Sequence, residues 1–169
     1  MRGIELNRPQ DKSLLLGMAF ILTVLVITNT EGADRKPIKP SDKDKCPVCG
    51  MFAAKYPDFL AEIVFKGGSY AVFDGPKDMF KYYFQLKKYN PSKKIEDIDS
   101  IYVTDYYKLT LTDGHNACYV VGSDIYGPMG KELIPFEKEP DAVEFMKDHK
   151  GKSTLRFGEI THDLVKGLD

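Results

Sequence analysis

The stretch that decides the fold is Leu60–Tyr89, "LAEIVFKGGSYAVFDGPKDMFKYYFQLKKY". It predicts two strands, Leu60–Phe65 and Tyr70–Phe73, because both are short runs rich in β-branched and aromatic residues. The paired glycines in Lys66–Ser69 permit the positive φ that a tight hairpin needs. We therefore expect the chain to fold back on itself here as an antiparallel pair.

A helix is predicted directly after this hairpin. Asp74 is placed to cap its N-terminus, and Pro76 is tolerated in its first turn. The apolar residues that follow recur at helical spacing: Met79, Phe80, Tyr83 and Leu86. This half of the chain therefore has the order strand, strand, helix.

The second half repeats that order. Ala117–Val121 is predicted as a strand, Gly122–Gly130 as a connecting loop and Leu133–Phe136 as a strand whose Pro135 favours an edge position. Pro140 then opens a helix that ends at Gly151, with an apolar stripe of Ala142, Val143, Phe145 and Met146. The pattern indicates a duplicated ββα unit.

Three further strands complete the prediction: Ile101–Tyr107, Leu109–Leu111 and a closing strand, Thr154–Ile160. The predicted fold class is α+β, mainly antiparallel sheet with two helices and duplicated ββα units.

The N-terminus predicts export. Basic residues precede an apolar run, Leu14–Ile27, which is too short to cross a bilayer comfortably and is typical of a signal peptide. We expect a signal peptide or N-terminal anchor at 1–33, a linker at 34–44, the folded domain at 45–162 and a tail at 163–169. The net charge of −1 gives no electrostatic case for nucleic-acid binding.

The folded part begins with a sulfur-rich motif, Lys45–Met51, "KCPVCGM". Thiolate and thioether donors select Cu(I), zinc or iron–sulfur centres. A structural zinc site needs four ligands, so His115 and Cys118 would have to join the two cysteines of the motif. A spacing of three along a strand would point these two side chains to opposite faces, which argues against zinc. Covalent haem attachment would need histidine where Gly50 stands.

Two other interpretations of Cys46 and Cys49 remain open. An exported thiol pair can oxidise to a plain disulfide, which leaves Cys118, predicted to lie in the core, unpaired. The pair could also serve a thiol–disulfide oxidoreductase, although no preceding βα pattern places it at a helix N-terminus.

A copper site uses the methionines as well. In an extended segment Cys49 and Met51 would share one face, so both sulfurs could meet one ion. Met129 lies between glycines and a proline in "YGPMG", which predicts a loop position where core packing and metal ligation are both open. The histidines His115, His149 and His162 are weaker ligand candidates.

Several segments, in order, resemble the NosL family of copper-handling accessory proteins of nitrous-oxide reductase. They are "CPVCGM", "YAVFDGPKDMF", "IYVTDY", "ACYVVGSDIYGPMGKELIPF" and "AVEFMKDHKG", which span about Lys45 to Ile160. The resemblance implies a fold of ββα halves and a metal site at Cys49, Met51 and Met129, with Cys46 as a less certain ligand. It implies a Cu(I)-binding chaperone that is not an enzyme.

The resemblance also implies partners and a location. The expected partners are nitrous-oxide reductase and its membrane copper-transport machinery, and the expected location is the periplasm or another extracytoplasmic space. Many family members are lipoproteins anchored through a cysteine, whereas this sequence has no cysteine before Cys46. We therefore expect either a soluble exported protein or one held to the membrane by its apolar N-terminus.

Overall fold

The computed structural model describes residues 36–169 and, besides them, Gly3. The predicted export segment lies outside the described residues, apart from that glycine. Within the described part of the chain, no helix has the length and hydrophobicity needed to cross a membrane.

Seven strands and four helices are present in the described residues. In chain order they are β1 Ala61–Phe65, β2 Tyr70–Phe73, α1 Pro76–Phe84, α2 Leu86–Tyr89, β3 Ile98–Asp105, β4 Thr110–Asp113, β5 Cys118–Gly127, β6 Gly130–Phe136, α3 Glu139–Asp148, β7 Ser153–Arg156 and α4 His162–Lys166.

The strands form two antiparallel sheets, with the orders β2-β1-β3-β4 and β6-β5-β7. The predicted α+β class with duplicated ββα units is confirmed. The repeat is larger than predicted, because in each half the strand after the helix pairs with the first strand, β3 with β1 and β7 with β5. Each half is thus a ββαβ unit, and β4 is added to the first.

The predicted hairpin is present between β1 and β2. Gly67 and Gly68 have φ of +93° and +88°, values that residues with a Cβ rarely adopt. The helix after it begins at Pro76, as predicted, but its N-cap is Gly75 and no side chain caps it. The capping role predicted for Asp74 is therefore wrong, and its carboxylate bonds elsewhere, as described below.

The loop predicted at Gly122–Gly130 is wrong. β5 continues to Gly127 and pairs again with β6 beyond an irregularity at Val121–Tyr126, so only Pro128 and Met129 form the turn. Strand pairing overrides the local preference of the glycines. Met129 does lie in a turn, as predicted, and 45 % of its surface is exposed. β6, which carries Pro135, is an edge strand, as predicted.

Two other predicted elements differ in extent. The periodic segment after Pro76 forms two helices separated at Gln85, and the closing strand ends at Arg156, followed by a 3₁₀ turn. α4 begins at His162, the last residue of the predicted domain, and its Val165 is fully buried. The N-cap Thr161 accepts a hydrogen bond from the Leu164 N–H at 3.2 Å.

The largest core cluster joins both halves. It contains Phe73 from β2, Phe80 from α1, Tyr119 from β5 and Leu133 from β6, all fully buried. Cys46, 1 % exposed, belongs to the same cluster, so the sulfur-rich motif is packed onto the fold. α1 packs against both β6 and α4, which brings the β5–β6 turn and the C-terminus to the same side of this helix.

Candidate metal site

The sulfur-rich motif forms a closed loop. The Cys46 N–H donates to the Met51 carbonyl at 2.8 Å, and the Gly50 N–H donates to the Cys46 carbonyl at 2.9 Å. Gly50 has φ of +81°, so a side chain there would strain the backbone. The extended geometry predicted for Cys49–Met51 is wrong, because this turn reverses the chain at Gly50.

Two aspartates face the two thiols. Cys49 Sγ lies 3.1 Å from Asp74 Oδ1, and Cys46 Sγ lies 3.4 Å from Asp78 Oδ2. Asp74 follows β2, and Asp78 lies in the first turn of α1. The ligand atoms of Cys46, Cys49, Asp74 and Asp78, which we call the thiol–carboxylate cluster, all lie within 4.8 Å of one another.

The thiols are held in their protonated form. Burial raises the pKa of Cys49 to about 12, and its hydrogen bond to Asp74 adds to that effect. Burial also raises the pKa of Cys46, and the nearby Asp74 and Asp78 act in the same direction. A dithiol oxidoreductase requires the opposite shift, a lowered thiol pKa. All three cysteines are free thiols, and Cys118 is buried in the core, as predicted.

Cys49 and Met129 line one open groove of about 590 Å³, which we call the sulfur groove. Met51, half-buried, is not among the described residues that line it. The remaining lining residues are mostly polar or charged: Val48, Asp78, Lys81, Gln85, Lys88, Tyr89, His162, Val165, Lys166 and Asp169. The structure thus brings together two of the predicted sulfur residues from distant parts of the chain.

A buried lysine holds the turn that carries Met129. Lys77, 2 % exposed, donates from Nζ to the Met129 carbonyl at 2.7 Å and to the Leu168 carbonyl at 3.5 Å. The same Nζ lies 3.8 Å from Asp169 Oδ1. Lys77 therefore links the β5–β6 turn to the C-terminus.

A buried glutamate supports the start of α1 beside that lysine. Glu132 Oε1 accepts hydrogen bonds from the backbone N–H groups of Lys77, at 2.5 Å, and Leu133, at 2.9 Å. Burial raises the pKa of Glu132 to about 8. A Cβ at Gly75 would collide with this carboxylate, so a side chain there would have to displace Glu132 from its two hydrogen bonds.

Of the three histidines, all of them weaker ligand candidates in the sequence, only His162 is among the residues that line the groove. Its Nε2 is 3.2 Å from the side-chain nitrogen of Gln85. The His115 ring instead packs at a tilt against Phe157, with ring centroids 4.3 Å apart, and His149 Nδ1 lies 3.2 Å from Asp124 Oδ1.

Sequence reasoning also missed Asp74, Asp78 and Lys77. The sequence offers one weak signal, the spacing of four between the two aspartates at a helix start, but aspartate there most often serves as a cap or a charge at the helix dipole.

Comparison with known proteins identifies the family to which the chain belongs. The NosL family model matches residues 37–165. The chain is 29 % identical to a protein of Stutzerimonas stutzeri named copper-binding lipoprotein NosL, over 89 % of this chain and 84 % of that protein. The fold matches the crystal structure of the copper chaperone NosL from Shewanella denitrificans with a TM-score of 0.65, at 23 % identity, over 76 % of this chain and 97 % of that one. The chain belongs to the NosL family.

Proposed function

We propose that this protein is an exported Cu(I)-binding chaperone, with Cys49 and Met129 as the principal ligands in the sulfur groove. The observation that supports it best is that a thiol and a partly exposed thioether, far apart in sequence, line the same open groove. Soft sulfur donors are those that Cu(I) prefers. Met51 is proposed as a third ligand that reaches the ion after a change in its side-chain rotamer, and Cys46 as a fourth, less exposed one.

The open form of the groove suits transfer of Cu(I) to an acceptor better than storage of the ion. Met129 is 45 % exposed and lies in a two-residue turn, so an acceptor ligand can approach the ion from solvent. Cu(I) binding at Cys49 displaces the thiol proton, since the free thiol is protonated at neutral pH. Cu(I) is therefore cargo, bound and released, and we propose no enzymatic turnover.

We further propose that the acceptor is nitrous-oxide reductase during its maturation and that membrane copper-transport machinery supplies the ion. Family membership and the names of the relatives support a copper-handling role outside the cytoplasm. The lysines that line the groove, Lys81, Lys88 and Lys166, favour an acidic docking surface on such a partner.

The binding proposal is tested by anaerobic Cu(I) titration of the reduced protein against a competing chelator. Met129→Leu, which keeps the volume and removes the sulfur, should weaken Cu(I) binding by about tenfold or more, and Cys49→Ser should weaken it further. Met146→Leu, on α3, is the matched control and should leave the affinity unchanged. Unchanged affinity in both site variants would refute the assignment of the ligands.

The delivery proposal requires a separate assay. Cu(I)-loaded protein is mixed with copper-free nitrous-oxide reductase, and the copper content of the reductase is measured after separation. Transfer should depend on Cys49 and Met129. If the protein were instead an oxidoreductase using Cys46 and Cys49, it would turn over a disulfide substrate and be insensitive to Met129→Leu.

A further inference from the structure

Another open groove, of about 620 Å³, lies beside the sulfur groove. It is lined by two segments, 83–88 and 93–96, and we call it the lysine groove. The first segment runs from the end of α1 into α2, and the second leads into a 3₁₀ turn just before β3. Gln85 and Lys88 line both grooves, so a molecule bound in the lysine groove lies next to the sulfur groove.

The apolar part of the lysine groove consists of Tyr83, Phe84, Leu86 and Ile95. The rings of Tyr83 and Phe84 pack edge to face, with centroids 5.5 Å apart, and Leu86 is buried. Ile95, by contrast, is 41 % exposed. An exposed aliphatic side chain at the side of a partly apolar groove is typical of a contact surface for another molecule.

The charged part of the lysine groove consists of four lysines within eight residues, Lys87, Lys88, Lys93 and Lys94, against one acidic residue, Glu96. None of the four forms an ion pair among the residues that the structure describes. The whole chain has a net charge of −1, so this positive charge is a local concentration. Unpaired lysines grouped on one surface attract a partner of opposite charge.

Helix electrostatics explain only part of this cluster. Cations are favoured at the C-terminus of a helix, and Lys87 and Lys88 lie in the last turn of α2. Lys94 is instead the N-cap of the 3₁₀ turn, the end at which a cation is not favoured. The positive charge around the groove is therefore not explained by the local backbone alone.

Two of the four ammonium groups are held over aromatic rings. Lys93 Nζ lies 5.1 Å from the centroid of the Phe65 ring, and Lys88 Nζ lies 4.7 Å from that of Tyr89. Groups that are already ordered lose less conformational entropy when a ligand binds, which favours a specific contact at this groove.

We propose that the lysine groove docks an acidic segment of a partner protein, with an apolar side chain placed beside Ile95 and flanking carboxylates paired with the lysines. A concave groove admits a segment of chain, whereas a flat membrane surface does not enter it. The docked segment lies beside the sulfur groove and holds the partner there while the ion passes. That last role rests on the proposed copper function, whereas the docking itself does not.

The probe is a fluorescein-labelled peptide with one phenylalanine between two short runs of glutamate, mixed with reduced, metal-free, full-length protein. Fluorescence anisotropy should show saturable binding that weakens as the ionic strength rises from about 0.05 to 0.3 M. Peptides with glutamine for glutamate, or with serine for phenylalanine, should each bind about fivefold more weakly or worse. Equal binding of the three peptides, or no saturable binding, would overturn the proposal.

A double lysine variant locates the charged contact. Lys87→Gln/Lys94→Gln should weaken peptide binding by about fivefold or more. The matched control is Lys138→Gln/Lys147→Gln, which makes the same change in net charge at exposed lysines outside the groove and should change binding by less than about twofold. Equal losses in the two variants would show attraction to the overall charge of the protein and refute the location.

A second pair of variants tests the apolar contact. Ile95→Asn should weaken peptide binding by about threefold or more, because the phenylalanine loses its neighbour. Leu109→Asn, at an aliphatic residue that is 59 % exposed and outside the groove, is the matched control and should have no effect. Circular dichroism checks that each variant is folded. Unchanged binding in a folded Ile95→Asn variant would refute the apolar part of the site.

An anionic membrane is the alternative occupant. Co-sedimentation with vesicles of phosphatidylglycerol and phosphatidylcholine compares the wild type with the Lys87→Gln/Lys94→Gln variant. Because the apolar N-terminus is present in both, only the difference between them reports on the groove. Weaker vesicle binding by the variant, together with no peptide binding by the wild type, would overturn the proposal in favour of a membrane.

The copper proposal and the docking proposal fail separately. The Lys87→Gln/Lys94→Gln variant should keep the Cu(I) affinity of the wild type and deliver copper to the reductase more slowly. Delivery at the wild-type rate would refute the role of the groove in transfer. If Cys49→Ser and Met129→Leu leave Cu(I) binding unchanged while the peptide results hold, the copper proposal fails and the docking groove stands.

Discussion

Glu62 gives the protein a pH-dependent stability that can be calculated from its surroundings. Its side chain is 0 % exposed, in β1, an inner strand of the first sheet. Oε2 accepts a hydrogen bond from the Ile38 N–H at 2.8 Å, and Oε1 has no hydrogen-bonding partner among the described residues. Burial therefore raises the pKa of Glu62 from 4.5 to about 7.

The sign and size of the Glu62 contribution to stability follow from the linkage between proton binding and folding. The folded protein binds the Glu62 proton more tightly than the unfolded chain does, so this contribution to stability is complete below about pH 4.5 and is lost as the pH rises through 7. The difference between the two pKa values, 7 − 4.5 = 2.5, corresponds to about 3 kcal/mol of unfolding free energy. Most of this change, about 2 to 3 kcal/mol, falls between about pH 5 and 8.

The substitution Glu62→Gln removes the titration and keeps an acceptor for Ile38. We expect the unfolding free energy of the variant, relative to the wild type, to rise by about 2 to 3 kcal/mol between about pH 5 and 8. Glu132 also titrates in this range, but it is present in both proteins and cancels in the comparison. The assay is urea unfolding of reduced, metal-free protein, followed by far-UV circular dichroism.

Glu144→Gln, on the exposed side of α3, is the matched control and should follow the wild-type curve. If the stability difference between wild type and Glu62→Gln is constant over this pH range, Glu62 is not a buried proton-binding group, and the reasoning fails.

Three further predictions concern the Cys46–Met51 loop, the second core cluster and the β5–β6 turn. Gly50→Ala should destabilise the protein by about 1–2 kcal/mol in urea unfolding, because a φ of +81° strains any residue that has a Cβ. The cost stays in this range because no neighbour lies within 4 Å of that Cβ. Phe145→Ala removes a fully buried ring from the second core cluster and should cost about 3–5 kcal/mol in the same assay. Lys77→Met should lower Cu(I) affinity several-fold in chelator competition, because the Met129 carbonyl loses its donor; in a Met129→Leu background it should have no further effect.

Local patterns predicted the elements whose geometry is decided over a few residues. The hairpin between β1 and β2 depends on two adjacent glycines, the start of α1 on Pro76, and the edge position of β6 on Pro135. Each of these follows from the conformational limits of glycine or proline, which act regardless of tertiary context.

Other elements depend on pairing and packing. The glycines at Gly122 and Gly127 favour a loop locally, but Tyr126 and Gly127 pair with β6 again after the irregularity that contains Gly122, and this pairing extends β5. α4 has five residues, too few for a periodic pattern, and is held by burial of Val165. The addition of β3 and β7 to the two repeats could not be predicted, because the pattern of a strand does not identify its partner.

The sequence by itself determined the chemistry of the site: two thiols and a thioether within Cys46–Met51 and a second thioether at Met129. Only the tertiary structure decided which of these groups meet. It joined Cys49 to Met129 across one groove and turned Asp74 and Asp78 toward the thiols. The physical reason is that ligand type is a property of each residue, whereas convergence depends on sheet order and helix packing, which arise from contacts between residues far apart in the chain.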